Sequence, residues 1–247
     1  MASEMLMFQS AAFLSLIGMA LAWRGVMTKY SGFYDTPTAW SHIFWGVIIG
    51  GFYATLCDRG LFHGYVQIMY GQANPTIGYW SNLLILMIGI SVITHFLLRR
   101  QKVRVTSQQT TSGWALGTAL GGMLSLILIY RLIEMTDDWT IIEVIKIALL
   151  AVLIPRCEAL ITCYQGFNML QGKRWGAVLR AALWRTALIN VVYYSVFEIT
   201  GWIFLIPILL LVNRKASDWV WEAIPRPARR RLRRIWADEH RRRSEEE

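Results

Sequence analysis

The chain has 247 residues, 55% of them hydrophobic, with twelve tryptophans, a mean hydropathy of +0.39 and a formal net charge of +9. Several apolar runs reach the roughly 20 residues that cross a bilayer, which excludes an ordinary soluble domain and predicts an all-α polytopic membrane protein. Cys57, Cys157 and Cys163 form no CxxC pair, and Cys157 and Cys163 stand about 9 Å apart along one predicted helix, so neither a disulfide framework nor a zinc site is expected.

In chain order, Met1 to Phe8 carry one acid and no base, so the positive n-region of a cleavable signal is missing and the first apolar run is expected to stay. Spans are predicted at 7–23, 40–57, 78–98, 113–133, 140–164, 176–197 and 200–213. They divide the chain into a transmembrane helical domain, 1–213, and a basic tail, 214–247. The second span is expected to run on through the aromatic, interfacial stretch 60–70. The sixth and seventh are separated at Glu198–Gly201.

Lys and Arg in the loops set the orientation. Arg24 and Lys29 follow the first span, Arg99, Arg100, Lys102 and Arg104 the third, and Lys173 and Arg174 the fifth, while nine arginines lie between Arg226 and Arg243. The alternate loops hold Arg59, then Arg131 with Glu134, Asp137 and Asp138, then Glu198 alone. Seven spans put every basic segment on one side. The expectation is a multi-pass inner-membrane protein with its N-terminus outside and its C-terminus in the cytoplasm.

Gly113, Gly117 and Gly121 recur every four residues and Ser125 continues the row, with Gly46 and Gly50 forming a shorter one. Such rows let backbones approach closely, which is how helices pack where lipid provides no hydrophobic drive for association. They are predicted to be packing faces, within the fold or against a membrane-protein partner or a second copy.

Ionisable groups inside a span are costly and face the bundle interior. Glu143 and Lys146 are three apart and pair locally, and Arg180 reaches the headgroups. Arg156, Glu158 and Arg185 are the buried charges. Pro155 beside them removes a backbone donor and frees the carbonyl of Ala151. Counted from their cytoplasmic ends, Glu158 and Arg185 differ in depth by only about 5 Å. Glu158 is therefore expected to pair with Arg156 or Arg185, with a binding or relay site as the alternative. His42 and His95, both toward the cytoplasmic side, are the minimum set for a bis-histidine haem; no other feature supports one, and no cofactor is implied.

In the tail, Leu232, Ile235 and Trp236 share one helical face. Arg229, Arg230, Arg231, Arg233 and Arg234 occupy much of the rest. This pattern predicts a short interfacial helix whose partner is the anionic cytoplasmic leaflet. No aromatic stacking platform accompanies the charge, so nucleic acid is not an expected partner.

From Ser91 to Asn190 the order of features resembles the PrsW and CAAX-protease (CPBP) group of intramembrane proteases, to which the gamma-secretase subunit APH is distantly similar. Thr94-His95-Phe96-Leu97-Leu98-Arg99-Arg100 stands where that group leads into a basic loop. Gly117-Thr118-Ala119-Leu120-Gly121-Gly122 looks like its glycine-rich helix, and Thr186-Ala187-Leu188-Ile189-Asn190 like its His-Ala-Leu-x-Asn motif. The resemblance implies an intramembrane protease scaffold. Its chemical groups are missing here. No paired glutamates occur in 82–95, Leu126 falls where the glycine helix presents a glutamate, and Thr186 replaces the histidine. Only Asn190 carries over, and glutamate-assisted hydrolysis needs a poised base and an oxyanion partner. The resulting expectation is a non-enzymatic membrane binding or scaffold subunit, a pseudoenzyme relative of that group. The alternatives are a hydrolase using Glu158, His95 and Asn190, and a small transporter or channel in which Pro155 and Pro207 mark discontinuous helices.

Overall fold

The computed structural model describes residues 4–31 and 33–246. Every regular element among them is helical: α1 (Glu4–Trp23), α2 (Val26–Lys29), α3 (Thr36–Cys57), a π-helical turn (Asp58–Phe62), α4 (His63–Met69), α5 (Ile77–Leu98), α6 (Gln101–Val105), α7 (Gln109–Met135), α8 (Ile141–Leu170), α9 (Arg174–Phe197), α10 (Gly201–Ala223) and α11 (Arg226–Glu246). Four segments are long and apolar enough to cross a membrane: Glu4–Lys29, Thr36–Met69, Ile77–Leu98 and Gln109–Met135.

Local chemistry explains the main boundaries. Asp35 caps α3, accepting from the Thr38 amide at 3.2 Å and the Thr38 hydroxyl at 2.6 Å, and Pro37 occupies the first turn, where no amide partner is needed. Thr76 caps α5 by accepting from the Tyr79 amide at 3.2 Å. Gly172, at φ 80°, makes the left-handed turn between α8 and α9 that a side chain would oppose. The helix of α3 continues through the π turn into α4, and the Tyr193 hydroxyl donates to the Cys57 carbonyl at 3.0 Å just where the repeat changes.

α7 is the axis of the molecule, buried along most of its length. Its glycine row lies against the backbone of α8. A Cβ on Gly113 would come 2.5 Å from the Thr162 carbonyl oxygen, one on Gly117 2.7 Å from Ala159 Cα, and one on Gly121 2.6 Å from Pro155 Cα. Ser125 extends the contact by donating to the Leu150 carbonyl at 3.0 Å. On another face, Gly46 and Gly50 of α3 meet Leu116, Ala119, Leu120 and Met123. α1 completes the surround: Ser15 donates to the Gly122 carbonyl, and Gly18 presses on the Ala151 carbonyl of α8. Pro155 has no amide to bond that carbonyl, and the missing Cβ of Gly18 leaves room for it.

Several boundaries differ from the sequence reading, that of α10 most of all. α10 ends at Ala223 rather than near residue 213, because Ala216, Val220 and Ile224 repeat every four residues and stay buried beneath α2 and α11. The division at 213/214 therefore cuts a continuous helix. α7 begins at Gln109 and α8 runs to Leu170, each extended by buried polar residues (Thr110 and Ser112; Gln165 and Asn168) that apolar runs do not reveal. Neither Pro155 nor Pro207 breaks its helix, so the discontinuous helices of the transporter reading are not present.

An alanine at Gly117 adds helix propensity of about 1 kcal/mol, but it must displace backbone, an overpacking cost of about 1–3 kcal/mol. Gly117→Ala is expected to lower the unfolding temperature in detergent and Gly117→Leu to lower it further. Gly89→Ala, at a position open to its surroundings, is expected to leave it unchanged or raise it. Thermal unfolding of the three variants measures this.

Candidate functional site

The strongest polar constellation joins four helices. Glu158 of α8 and Arg185 of α9 form an ion pair at 2.9 Å, with both side chains 0% exposed. Nε of Arg185 donates to Oε2 of Glu158, Nη1 to the Ser91 hydroxyl of α5 at 2.7 Å, and Nη2 to the Thr162 hydroxyl of α8 at 2.9 Å. The second carboxylate oxygen accepts from the Tyr53 hydroxyl of α3 at 3.1 Å. A further shell fixes these partners. Thr162 donates to the Glu158 carbonyl at 2.8 Å, Gln165 to the Ser91 carbonyl at 2.7 Å, and Thr94 to Gln165 Oε1 at 2.9 Å.

Both oxygens of Glu158 are engaged and each guanidinium nitrogen of Arg185 has an acceptor, so the charges meet inside the protein instead of facing hydrocarbon. A buried pair of this kind is stabilising chiefly in the sense that removing one member strands the other, at about 3–5 kcal/mol. Glycine packing positions it: a Cβ on Gly121 would come 2.9 Å from Glu158 Cβ, so α7 forms the wall beside the carboxylate.

Arg156 does not contact Glu158. Two residues apart on one helix, they point to different faces. Arg156 instead reaches α10, where Nη2 donates to Asn213 Oδ1 at 2.7 Å, and the turn after α1, where Nη1 donates to the Arg24 carbonyl at 2.9 Å. Its guanidinium also lies 4.8 Å from the Trp114 ring centroid. Gly25, at φ 92°, brings this turn within reach. Lys146 bonds Glu143 at 3.3 Å and the Phe197 carbonyl at 3.1 Å. Arg180 donates to Asn168 at 3.3 Å, which holds it against α8.

The structure does not join the other candidates to Glu158. His95 lies in the last turn of α5, stacked on Trp175 of α9 with ring centroids 6.3 Å apart, and its buried Nδ1 has no partner. Asn190 donates to the Thr186 carbonyl of its own helix at 2.7 Å, and its buried Oδ1 is unpartnered. His42 donates from Nδ1 to the Thr38 carbonyl at 2.7 Å. Leu126 and Thr186 sit in the interiors of α7 and α9.

At the C-terminal end of α7, Arg131 grips Asp58 of the π turn through two bonds of 2.7 Å and Glu134 through one of 2.6 Å, at the rim of an open cavity of about 580 Å³. At the N-terminal end lies α11. Leu232 and Trp236, expected to face lipid, pack on protein instead. Leu232 is buried with Val26, Tyr30, Val220 and Ile224, and Trp236 stacks on Trp221 at 5.5 Å while donating to the Lys29 carbonyl at 3.2 Å. Ile235 is half-buried and does not join that cluster.

No protein family, characterised protein or solved structure matches this chain.

Tyr53, Ser91, Thr94, Thr162 and Gln165 belong to the site and were not singled out from sequence. A signal for some of them exists: Glu158, Thr162 and Gln165 stand at i, i+4 and i+7, a polar stripe along one face of α8, and Ser91 and Thr94 repeat at i, i+3. Glu158→Gln or Arg185→Gln alone is expected to destabilise the protein by about 3–5 kcal/mol, and the double variant by less than the sum of the two. Unfolding in detergent closes the cycle, and strict additivity would exclude the pairing.

Proposed function

We propose that this protein is a non-enzymatic, multi-pass subunit of the inner membrane that serves as a binding or scaffold element. Seven helices span the bilayer, the N-terminus lies outside and the C-terminus is cytoplasmic. One observation carries the reading: Glu158, among the described residues the one carboxylate in the bundle centre able to act as a base, has both oxygens engaged by Arg185 and Tyr53. A general base needs an acceptor position open to water and substrate. Arg185 and Tyr53 fill both such positions.

The seven-span arrangement is supported by the outer faces of α8, α9 and α10. They expose Ile142 and Val152, Leu179 and Leu183, and Phe204 and Leu211, while Lys146 and Glu158 of α8 and Arg185 of α9 are buried against partners. Apolar residues outside and paired charges inside is the distribution expected where lipid is the solvent. The basic loops argue for the orientation, and the arginine-rich tail then lies at anionic headgroups. The resemblance to the PrsW and CAAX-protease group fits a relative that retains close glycine packing and has lost the catalytic side chains. The hydrolase reading retains one observation, the unpartnered buried atoms of His95 and Asn190.

Complementation of a deletion strain separates the two readings. The Glu158→Gln, Arg185→Gln double variant, if it accumulates in the membrane at the wild-type level, is expected to restore the wild-type phenotype; accumulation without restoration favours the hydrolase. A fluorescent protein fused after Glu247 is expected to fluoresce, and alkaline phosphatase at the same point to be inactive; the reverse pattern would overturn the orientation.

A further inference from the structure

The six arginines of α11 from Arg226 to Arg234 fall into two sets with different surroundings. Arg229 belongs to the protein: its Nε donates to the Ile224 carbonyl at 2.7 Å and its Nη2 to the Glu222 carbonyl at 2.9 Å, capping the C-terminal end of α10. Arg229 and Arg233 also lie over the Trp221 ring, 5.6 and 5.5 Å from its centroid. With Leu232 and Trp236 on the same side, they fasten α11 to α10 and α2. Arg226, Arg230, Arg231 and Arg234 turn the other way. All four are exposed and line an open groove of about 560 Å³; among the described residues they make no ion pair and Asp238 is the one acid lining the groove.

We propose that these four arginines form a preassembled clamp for the phosphate groups of anionic phospholipids, and that α11 meets the bilayer through this charged ridge and not by burying its apolar face. The inference rests on the cytoplasmic placement of the tail under the proposed function. Arg226, Arg230 and Arg234 repeat every four residues, about 6 Å per step along the axis, so their guanidinium groups form a row, and the planar fork of arginine matches phosphate oxygens bidentately. Four cations against one acid call for an anionic occupant. The surroundings favour a lipid. At this end of the bundle Trp23 stacks on exposed Trp40 at 6.2 Å beside Tyr34, the aromatic composition of a headgroup belt. Only Ile224 and Pro225 separate α11 from α10, whose exposed Ile208, Leu210 and Leu211 lie farther along the same helix. The helix is already folded and docked, so no ordering accompanies binding.

The test uses the full-length protein in nonionic detergent, titrated with phosphatidylglycerol, phosphatidylcholine or inorganic phosphate, with retained lipid counted by native mass spectrometry. Phosphatidylglycerol is expected to bind more tightly than phosphatidylcholine and to weaken as salt rises. Each Arg→Gln change at 226, 230, 231 or 234 is expected to weaken it about fivefold. In protein labelled with 5-fluorotryptophan, the Trp236 fluorine resonance, assigned with Trp236→Phe, is expected not to move when phosphatidylglycerol is added. It should move in Arg229→Gln, Arg233→Gln protein, where docking is loosened. Equal binding of the two lipids, or full binding by the quadruple glutamine variant with its Trp236 resonance unchanged, would overturn the clamp. Saturation by inorganic phosphate at the same concentration would make it a general anion site, and tighter binding of a polyglutamate peptide would make it a protein-docking surface; either overturns the lipid assignment. A Trp236 resonance that shifts on adding lipid would restore apolar insertion. Because these measurements are made in detergent, a C-terminus mapped outside would defeat the orientation without altering them.

Discussion

The close approach of α7 to α8 sets the geometry of everything around it. With glycine at 113, 117 and 121 the two backbones meet without intervening side chains, and the carbonyl of Thr162 and the α-carbons of Ala159 and Pro155 occupy the space where Cβ atoms would stand. The attraction is dispersion over a long, flat contact, and it is steep in distance: a gap of even an ångström forfeits much of it. Glu158 lies on the α8 backbone at this contact, so the position of its carboxylate, and hence of Arg185, depends on side chains that are absent from α7. The same device recurs where Gly18 of α1 accommodates the carbonyl released by Pro155 and where Gly46 and Gly50 seat α3 on the far side of α7.

Around this packed axis, charge is handled by linking helices that are not neighbours in sequence. Arg185 joins α9 to α8 and α5, Arg156 joins α8 to α10 and the turn after α1, Arg131 joins α7 to the π turn, and Lys146 joins α8 to the end of α9. Each bond satisfies a group that would be expensive to leave alone in a low-dielectric interior. Each also specifies which helices are adjacent, something dispersion between apolar faces does only weakly. The polar groups in the bundle therefore act as registration points, and Glu158 with Arg185 is the one that engages the most helices.

The tail follows the same logic at the surface. An amphipathic basic helix free in solution has its apolar face available for lipid, but here that face meets Tyr30, Val220 and Trp221 and its indole donates to a backbone carbonyl. Docking divides the six arginines from Arg226 to Arg234 into two that hold the helix and four that remain outward. The division depends on azimuth around the helix and on where α10 ends.

Much of the architecture was legible in the sequence because it follows from one-dimensional quantities. Run length identified the apolar helices, four-residue spacing identified the glycine face, and a rise of about 1.5 Å per residue put Glu158 and Arg185 at matching depth. A lone helix pattern states which residues share a face and not which neighbour meets it. Arg156 and Arg185 were equal candidates for Glu158 until the rotation of α8 turned one toward α10 and the other partner's helix toward the carboxylate. His95 and Asn190 stood at plausible positions, yet packing sends one to Trp175 and leaves the other bonded within its own turn. The extension of α10 to Ala223 and the inward turn of Trp236 depend on a groove formed by α2 and α10, residues distant in the chain. Sequence by itself determined the helices, their small-residue faces and the charges that needed partners. Tertiary structure alone decided the pairings, because they depend on the rotation of each helix about its axis, which is set by contacts among all of them at once.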